Sequence, residues 1–191
     1  MRHLHLEKKG LRGLAIAESF KQGDITSHLA GIVIRRDFII DGFVFGECAI
    51  EGDDATDAIL DMYHRLNRED ISYILISGLI ISMYNIIDIK RICEITKIPV
   101  ISVSYEESLG IEDSIRHHFP NSYTKKLEQY YKLGNRMEVT LHTGHKLFFR
   151  HEGCLFEDVV KFLDSLTLQG SIPEPVRVAH LLAKASPYTS A

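Results

Sequence analysis

Residues 11–67 read LRGLAIAESFKQGDITSHLAGIVIRRDFIIDGFVFGECAIEGDDATDAILDMYHRLN, and this stretch decides the fold. It opens with three runs rich in β-branched, apolar and aromatic residues: Leu11 to Glu18, Leu29 to Arg35 and Phe38 to Ile50. Runs of this kind predict strands. Arg36-Asp37 predicts a tight hairpin between the second and third, and Asp41-Gly42 a kink or bulge within the third. The period then changes. Ala55, Ala58, Ile59, Met62, Tyr63 and Leu66 follow the i, i+3, i+4, i+7 spacing of one buried helix face. Asp53 or Asp54 can cap the start of that helix, where a carboxylate also meets the positive end of its dipole.

Downstream, Ser72 to Ile76 and Pro99 to Ser104 are short apolar runs without polar alternation, which predicts parallel strands covered on both faces. A helix is expected over Ile86 to Thr96, with others around Ile111 to His118 and Tyr123 to Leu133. Met137 to Leu141 and Lys146 to Arg150 read as a hairpin around Thr143-Gly144. Leu155, Val159, Val160, Leu163 and Leu166 mark another amphipathic helix. Pro175, suited to a first helical turn, begins the last. Three meandering strands followed by alternating helices and strands predict an α/β mixed sheet. It is antiparallel on one side and parallel on the other, the order of the ribonuclease H-like fold.

The chain has 191 residues, 45% hydrophobic and 25% charged, and shows no repeat, low-complexity tract or linker. One domain over 1–191 is therefore expected. The net charge of −4 does not force a large basic surface, although a local basic patch is compatible with it. The richest apolar stretch, Ile71 to Ile89, is interrupted by Ser77, Gly78, Ser82, Asn85 and Asp88, so no membrane span is expected. Met1 to Gly10 lacks the apolar core of a secretory signal. Cys48, Cys93 and Cys154 are odd in number and far apart, which suits a reducing cytoplasm and offers no disulfide framework. Walker, Gly-x-Gly-x-x-Gly, Gly-x-Ser-x-Gly and His-Glu-x-x-His motifs are absent.

The segment Ile172-Pro173-Glu174-Pro175-Val176-Arg177-Val178-Ala179-His180-Leu181-Leu182-Ala183 resembles the ending of uncharacterised protein family 0215, also called domain of unknown function 99, a largely archaeal family. Asp41-Gly42, Gly52-Asp53-Asp54-Ala55-Thr56, Asn85 with Asp88, and Ile98-Pro99-Val100 extend the match, in order, along almost the whole chain. The family is distantly similar to endonuclease V, a magnesium-dependent nuclease that cuts a strand near deaminated adenine and shares a Pro-Glu-Pro-x-Arg segment. The resemblance implies a carboxylate-lined site at the first strand, the strand after the first helix, and that helix's N-terminus. Such a site suits Mg²⁺, a hard cation that takes oxygen ligands.

This chain departs from the family pattern at the decisive positions. Where the first strand would carry aspartate it has Ala17, and where the strand after the helix would carry aspartate it has Ser77. Cys154 falls at a histidine position and Tyr105 at a lysine. Only the carboxylate at the helix start is kept, as Asp54. Glu18 is displaced by one residue, which on a strand turns it to the opposite face unless a bulge intervenes.

The candidate catalytic residues are thus Glu18 and Asp54, and the candidate Mg²⁺ ligands Glu18, Glu51, Asp53 and Asp54. Asp53, Asp54 and Asp57 can equally serve as helix caps and dipole partners. A pocket is expected around Ser77, Gly78, Asn85 and Asp88, at a strand's carboxyl end where open α/β sheets place ligands. Glu174 and Arg177, three apart, predict a structural clasp between the last helix and the sheet or, for Arg177, a phosphate contact. His142, His145, His151, Glu152 and Cys154 cluster in sequence, but a hairpin leaves the first two in solvent rather than converging on zinc. His3 and His5 share a strand face if a strand forms there. The leading expectation is a catalytically degenerate, endonuclease V-like protein with no cofactor assigned, Mg²⁺ entering only if the site is active, and with DNA or RNA as its partner. Its rivals are an active Mg²⁺ nuclease with rearranged carboxylates and a non-enzymatic scaffold.

Overall fold

A computed structural model describes residues 10–108 and 110–185. His3 and His5 lie outside the described residues. Strands β1 (Arg12–Ser19), β2 (Thr26–Arg35) and β3 (Ile40–Ala49) form an antiparallel meander. The hairpin expected at Arg36-Asp37 is present, with Phe38 taking a positive φ of 65° to close it. The expected bulge is also present. Val33 faces Gly42 while Ile34 faces Ile40, which leaves Asp41 unpaired.

Helix α1 (Ala55–Leu66) crosses to β4 (Ile71–Ser77), which lies parallel to β1. A two-stranded ribbon, β5 (Ile80–Ile81) with β6 (Asn85–Ile86), precedes α2 (Ile89–Thr96). That helix starts three residues later than expected, because the Asp88 carboxylate caps it through the Arg91 N–H at 3.0 Å. Strand β7 (Val100–Ser104) is parallel to β4. Helices α3 (Glu112–His118) and α4 (Tyr123–Lys132) lead to the hairpin of β8 (Met137–Thr140) and β9 (Lys146–Glu152). Helices α5 (Phe156–Leu166) and α6 (Glu174–Ala185) follow.

The sheet order is β3-β2-β1-β4-β7-β9-β8. It is the expected mixed sheet with one difference: β9 pairs antiparallel to β7, so antiparallel strands flank the parallel centre on both sides. The chain returns through α3 and α4 as a short-turned hairpin whose second strand, β9, is the one that joins β7.

Both faces of the central strands are buried. Leu14, Ile16, Ile74 and Ile76 meet α1 and α2 with Ile59 and Met62, while Ala15, Ala17, Tyr73 and Leu75 meet α5 and α6 with Phe162 and Val176. The alternation of strand side chains therefore splits the core into two layers. Gly13 has a packing role in the second layer: a Cβ there would stand 1.9 Å from the Tyr73 ring, which packs edge-on against Phe162 at 4.6 Å. No helix among the described residues is long and apolar enough to cross a membrane.

Candidate functional site

The carboxyl ends of β1, β4 and β7 stand side by side. Ile16 and Ile76 are register partners, so Ala17 and Ser77 follow on neighbouring strands, and Ser77 is itself opposite Val103. Ala17 and Ser77 face α6, the element that covers β1 and β2 on this side. Ser77 Oγ lies 2.9 Å from His180 Nε2 on α6, with the donor set by the imidazole tautomer. Burial, together with the nearby Lys184 ammonium, holds the His180 imidazole below its usual value, so the ring is neutral at pH 7. The Tyr105 hydroxyl is buried beside Ser77 without a hydrogen bond of normal geometry, and burial pushes its phenol up. Where the resemblance places two aspartates there is thus a methyl, a hydroxyl, a phenol and a neutral imidazole.

The candidate carboxylates are dispersed. Glu18 shares the face of Leu14 and Ile16, away from Ala17, as its displacement by one residue predicts. It accepts from Ser27 Oγ at 2.8 Å, from the Ser82 backbone N–H at 2.9 Å and from the Ser82 hydroxyl. Ser82, Met83 and Tyr84 all have positive φ, at 45°, 55° and 70°. Three consecutive left-handed non-glycine residues are costly, and the Glu18 carboxylate ties down the first of them.

Asp54 stands at the N-cap position of α1 but does not cap the helix with its own side chain. Asn85 does so from 30 residues away: its Oδ1 accepts from the Ala55 N–H at 3.1 Å, and its Nδ2 donates to Asp54 Oδ1 at 2.7 Å. Asp54 also accepts from the Ala49 N–H at 3.1 Å. Glu51 pairs with His118 at 2.7 Å. Asp53 binds Lys125 at 2.6 Å and the buried Lys126 at 2.8 Å. Partial burial opposes the Asp53 charge, but the two ammoniums outweigh it and bring the carboxyl down to about 2. Among the described residues, no group of three His, Cys, Asp or Glu side chains is arranged to hold a metal ion.

Of the expected pocket residues, Ser77 and Gly78 line a cleft of about 510 Å³ that also contains Tyr105, Arg136 and Arg150. Asp88 lines a second cleft of about 320 Å³ with Lys90, Arg91 and Lys132, and Asn85 lines neither. Arg150 borders both clefts. Glu174 and Arg177 form a two-point ion pair, with Arg177 Nε to Glu174 Oε2 at 2.7 Å, inside the first turn of α6. The clasp therefore closes within the helix, and neither side chain bonds to a strand among the described residues. His142 meets Asp164 at 3.0 Å and His145 its neighbour Thr143, both in solvent. Cys154 is fully buried, its thiol pushed up to about 12 by burial, with His151 Nδ1 at 3.8 Å.

His180, Arg136 and Arg150 were not singled out from the sequence. His180 lay inside the quoted Pro-Glu-Pro segment, one helical turn beyond Arg177, and that placement on the sheet-facing side was the available signal. The two arginines bracket a hairpin, and nothing local distinguishes them.

This geometry can be set beside known proteins. The Endonuclease dU family matches residues 9–186. The chain belongs to that family. A UPF0215 protein of Pyrobaculum aerophilum is 33% identical over 174 residues, covering 91% of this chain and 92% of the relative. A crystal structure of a protein of unknown function from Archaeoglobus fulgidus superposes with a TM-score of 0.77 at 28% identity, covering 91% of this chain and 96% of the other. Endonuclease V of Ciona intestinalis, solved with inosine-containing DNA, matches with a TM-score of 0.57 at 13% identity, over 91% of this chain and 84% of that one. The last likeness concerns the fold, which is ribonuclease H-like.

Proposed function

We propose that this member of the Endonuclease dU family binds nucleic acid without the Mg²⁺-dependent cleavage that an endonuclease V-like site would perform. The observation that carries the reading is the Ser77–His180 hydrogen bond beside the buried Ala17. Mg²⁺ gives up water reluctantly and is held by anionic oxygens. A methyl, a hydroxyl and a neutral imidazole do not suit it, and Glu18 is spent on Ser27 and Ser82 from the other face. The carboxylates of the rival rearranged nuclease, Glu51, Asp53 and Asp54, are each engaged by other groups.

Support for a nucleic-acid partner comes from the two clefts that share Arg150. Lys90, Arg91, Lys132, Arg136 and Arg150 line them, alongside Asp53, Asp88, Glu106, Glu107 and Glu152. Cations gathered in a cleft can contact a phosphate backbone although the whole chain is acidic.

Anisotropy titrations with single- and double-stranded DNA and RNA, with and without deoxyinosine or deoxyuridine, test the reading alongside gel assays in Mg²⁺ and Mn²⁺. Binding that weakens with salt, and intact strands, are expected. Metal-dependent cleavage abolished by Glu18→Gln or Asp54→Asn would overturn it in favour of the rearranged nuclease. Failure to bind any strand at low salt would favour the scaffold.

A further inference from the structure

The wall of the larger cleft carries two cations that no carboxylate neutralises among the described residues. Ser102 is opposite Arg150 in the β7–β9 register, so their side chains share one face of the sheet. Arg136 joins that face: its Nη1 donates to Ser104 Oγ at 3.2 Å and to the Glu106 carbonyl at 2.9 Å, its Nη2 to the Ser108 carbonyl at 3.2 Å, and its guanidinium lies 4.8 Å over the Phe148 ring. Among the described residues Arg150 spends only its Nε, on the Gly134 carbonyl at 3.0 Å. Among the described residues neither guanidinium has a carboxylate within 4.0 Å. The cleft's two acidic side chains do not supply one. Glu107 pairs with Lys146 at 3.4 Å, and Glu106 offers Arg136 its backbone carbonyl.

A half-buried cation without a counter-charge is unfavourable, and two close together more so. Burial and the neighbouring Arg136 charge bring the Arg150 guanidinium below its usual value. Ser102 adds an independent observation. It lines this cleft, and its hydroxyl makes no hydrogen bond among the described residues. The Tyr105 hydroxyl on the same cleft is buried and unpartnered, whereas a buried hydroxyl is ordinarily satisfied.

We propose that this corner binds the phosphate group of a nucleotide, with the Arg150 fork and Arg136 on the phosphate oxygens and Ser102 donating a further hydrogen bond. Guanidinium matches phosphate in planar, two-point geometry, and a dianion would neutralise both charges at once. The cleft, about 510 Å³, is larger than a lone phosphate needs and lies in the range of small-ligand sites. Leu79, Ile80, Ile111 and Tyr130 give its remainder an apolar character suited to a sugar and base. The phosphate belongs either to a free nucleotide or to the phosphorylated end of a strand. The free-nucleotide case stands without the nucleic-acid reading above.

Calorimetric titration of the full chain with inorganic phosphate, AMP, UMP and adenosine tests the phosphate site. Anisotropy with short single strands carrying or lacking a 5′-phosphate identifies the source. AMP or the phosphorylated strand is expected to bind more tightly than its unphosphorylated counterpart by about tenfold to a hundredfold, the worth of charge-assisted hydrogen bonds. Arg150→Gln should abolish that advantage, and Arg150→Lys should restore only part of it, since an ammonium lacks the fork. Ser102→Ala should weaken it by a few-fold, roughly the worth of one hydrogen bond. Should Arg150→Gln fail to fold, Arg136→Gln carries the same expectation. Preference for AMP with indifference to strand ends assigns a free nucleotide, and the reverse assigns a strand end. Equal affinity for AMP and adenosine together with equal affinity for both strands overturns the proposal. So does an undiminished phosphate advantage in the arginine variants. Strands that bind regardless of end phosphate, with Arg150→Gln unchanged, would leave nucleic-acid binding intact while removing this site.

Discussion

The carboxyl ends of β1 and β4 and the wall formed by β7 and β9 lie in one sheet, yet they handle polarity in opposite ways. At Ala17, Ser77 and His180 the chain has replaced expected charge with a methyl and a neutral hydrogen-bonded pair under α6, with Ser77 also bordering the cleft. Nothing there lacks a counter-ion. At Arg136, Arg150 and Ser102 it has retained two cations with no carboxylate within 4.0 Å among the described residues, beside an open cleft. Removing a charge makes a site self-sufficient, whereas an unpaired one makes it depend on something outside the chain. The difference shifts attention from the strand ends, where the resemblance points, to the next strands along.

The comparison is broken most forcefully by putting charge back on the closed side. Ala17→Asp with Ser77→Asp places two neighbouring carboxylates together, one of them at the buried Ala17 position. A loss of about 3–5 kcal/mol is expected, the usual cost of an uncompensated buried charge. Mg²⁺ or Mn²⁺ should recover part of it and should bind more tightly than to the wild type, because converging anions supply hard oxygen ligands. Thermal melts and calorimetry with each metal check both parts; a double variant as stable as the wild type would mean that the strand ends are open to water. Ile59→Ala, on the opposite layer, should cost about 2–5 kcal/mol because the side chain is 0% exposed. A denaturant midpoint shifted by no more than a surface substitution would refute the packing of α1 on β1 and β4.

Much of the sheet was legible because its strands are buried on both faces and read as uninterrupted apolar runs. Even the Asp41 bulge was, since Asp-Gly within an apolar strand marks a local break. The outer antiparallel flank was not, because periodicity identifies a hairpin but not the strand it joins. Ribbon β5–β6 was hidden by its two-residue strands, and the helix expected from Ile86 begins at Ile89. At the candidate site, the loss of aspartate at Ala17 and Ser77 and the turning away of Glu18 were readable from one-residue registers. The Asn85 cap on α1, the Ser77–His180 contact and the Arg136–Arg150 pair were not, because each joins residues that only the fold brings together.

Titration sharpens the contrast more gently. His180 and His151 are both held below the usual imidazole value by burial. A histidine depressed in the folded state binds fewer protons there than when unfolded, so it contributes fully above about pH 6.5 and loses that contribution as pH falls below the unfolded value. Melting midpoints should therefore decline between pH 7 and pH 5, before Asp53 and the other depressed carboxylates begin to titrate. His180→Asn should flatten this decline while retaining a hydrogen-bonding group beside Ser77. An unaltered slope in that variant would show that the closed site carries no titrating imidazole.

The smallest effect is expected at Arg177. Its ion pair with Glu174 lies within one helical turn and its side chain is 44% exposed, so water and salt screen the attraction. The pair still draws the Glu174 carboxyl below its usual value through the Arg177 hydrogen bond. Glu174 also stands at the positive start of α6, where its charge is favourable without the arginine. Arg177→Ala should consequently lower the melting midpoint slightly at low salt and by less at high salt. Arg177 lines neither cleft, so strand affinity should be preserved. Parallel melts and anisotropy titrations on this variant decide the matter. Unchanged melting with strongly reduced strand binding would place Arg177 on a phosphate and extend the nucleic-acid surface across α6, onto the side that the Ser77–His180 pair closes.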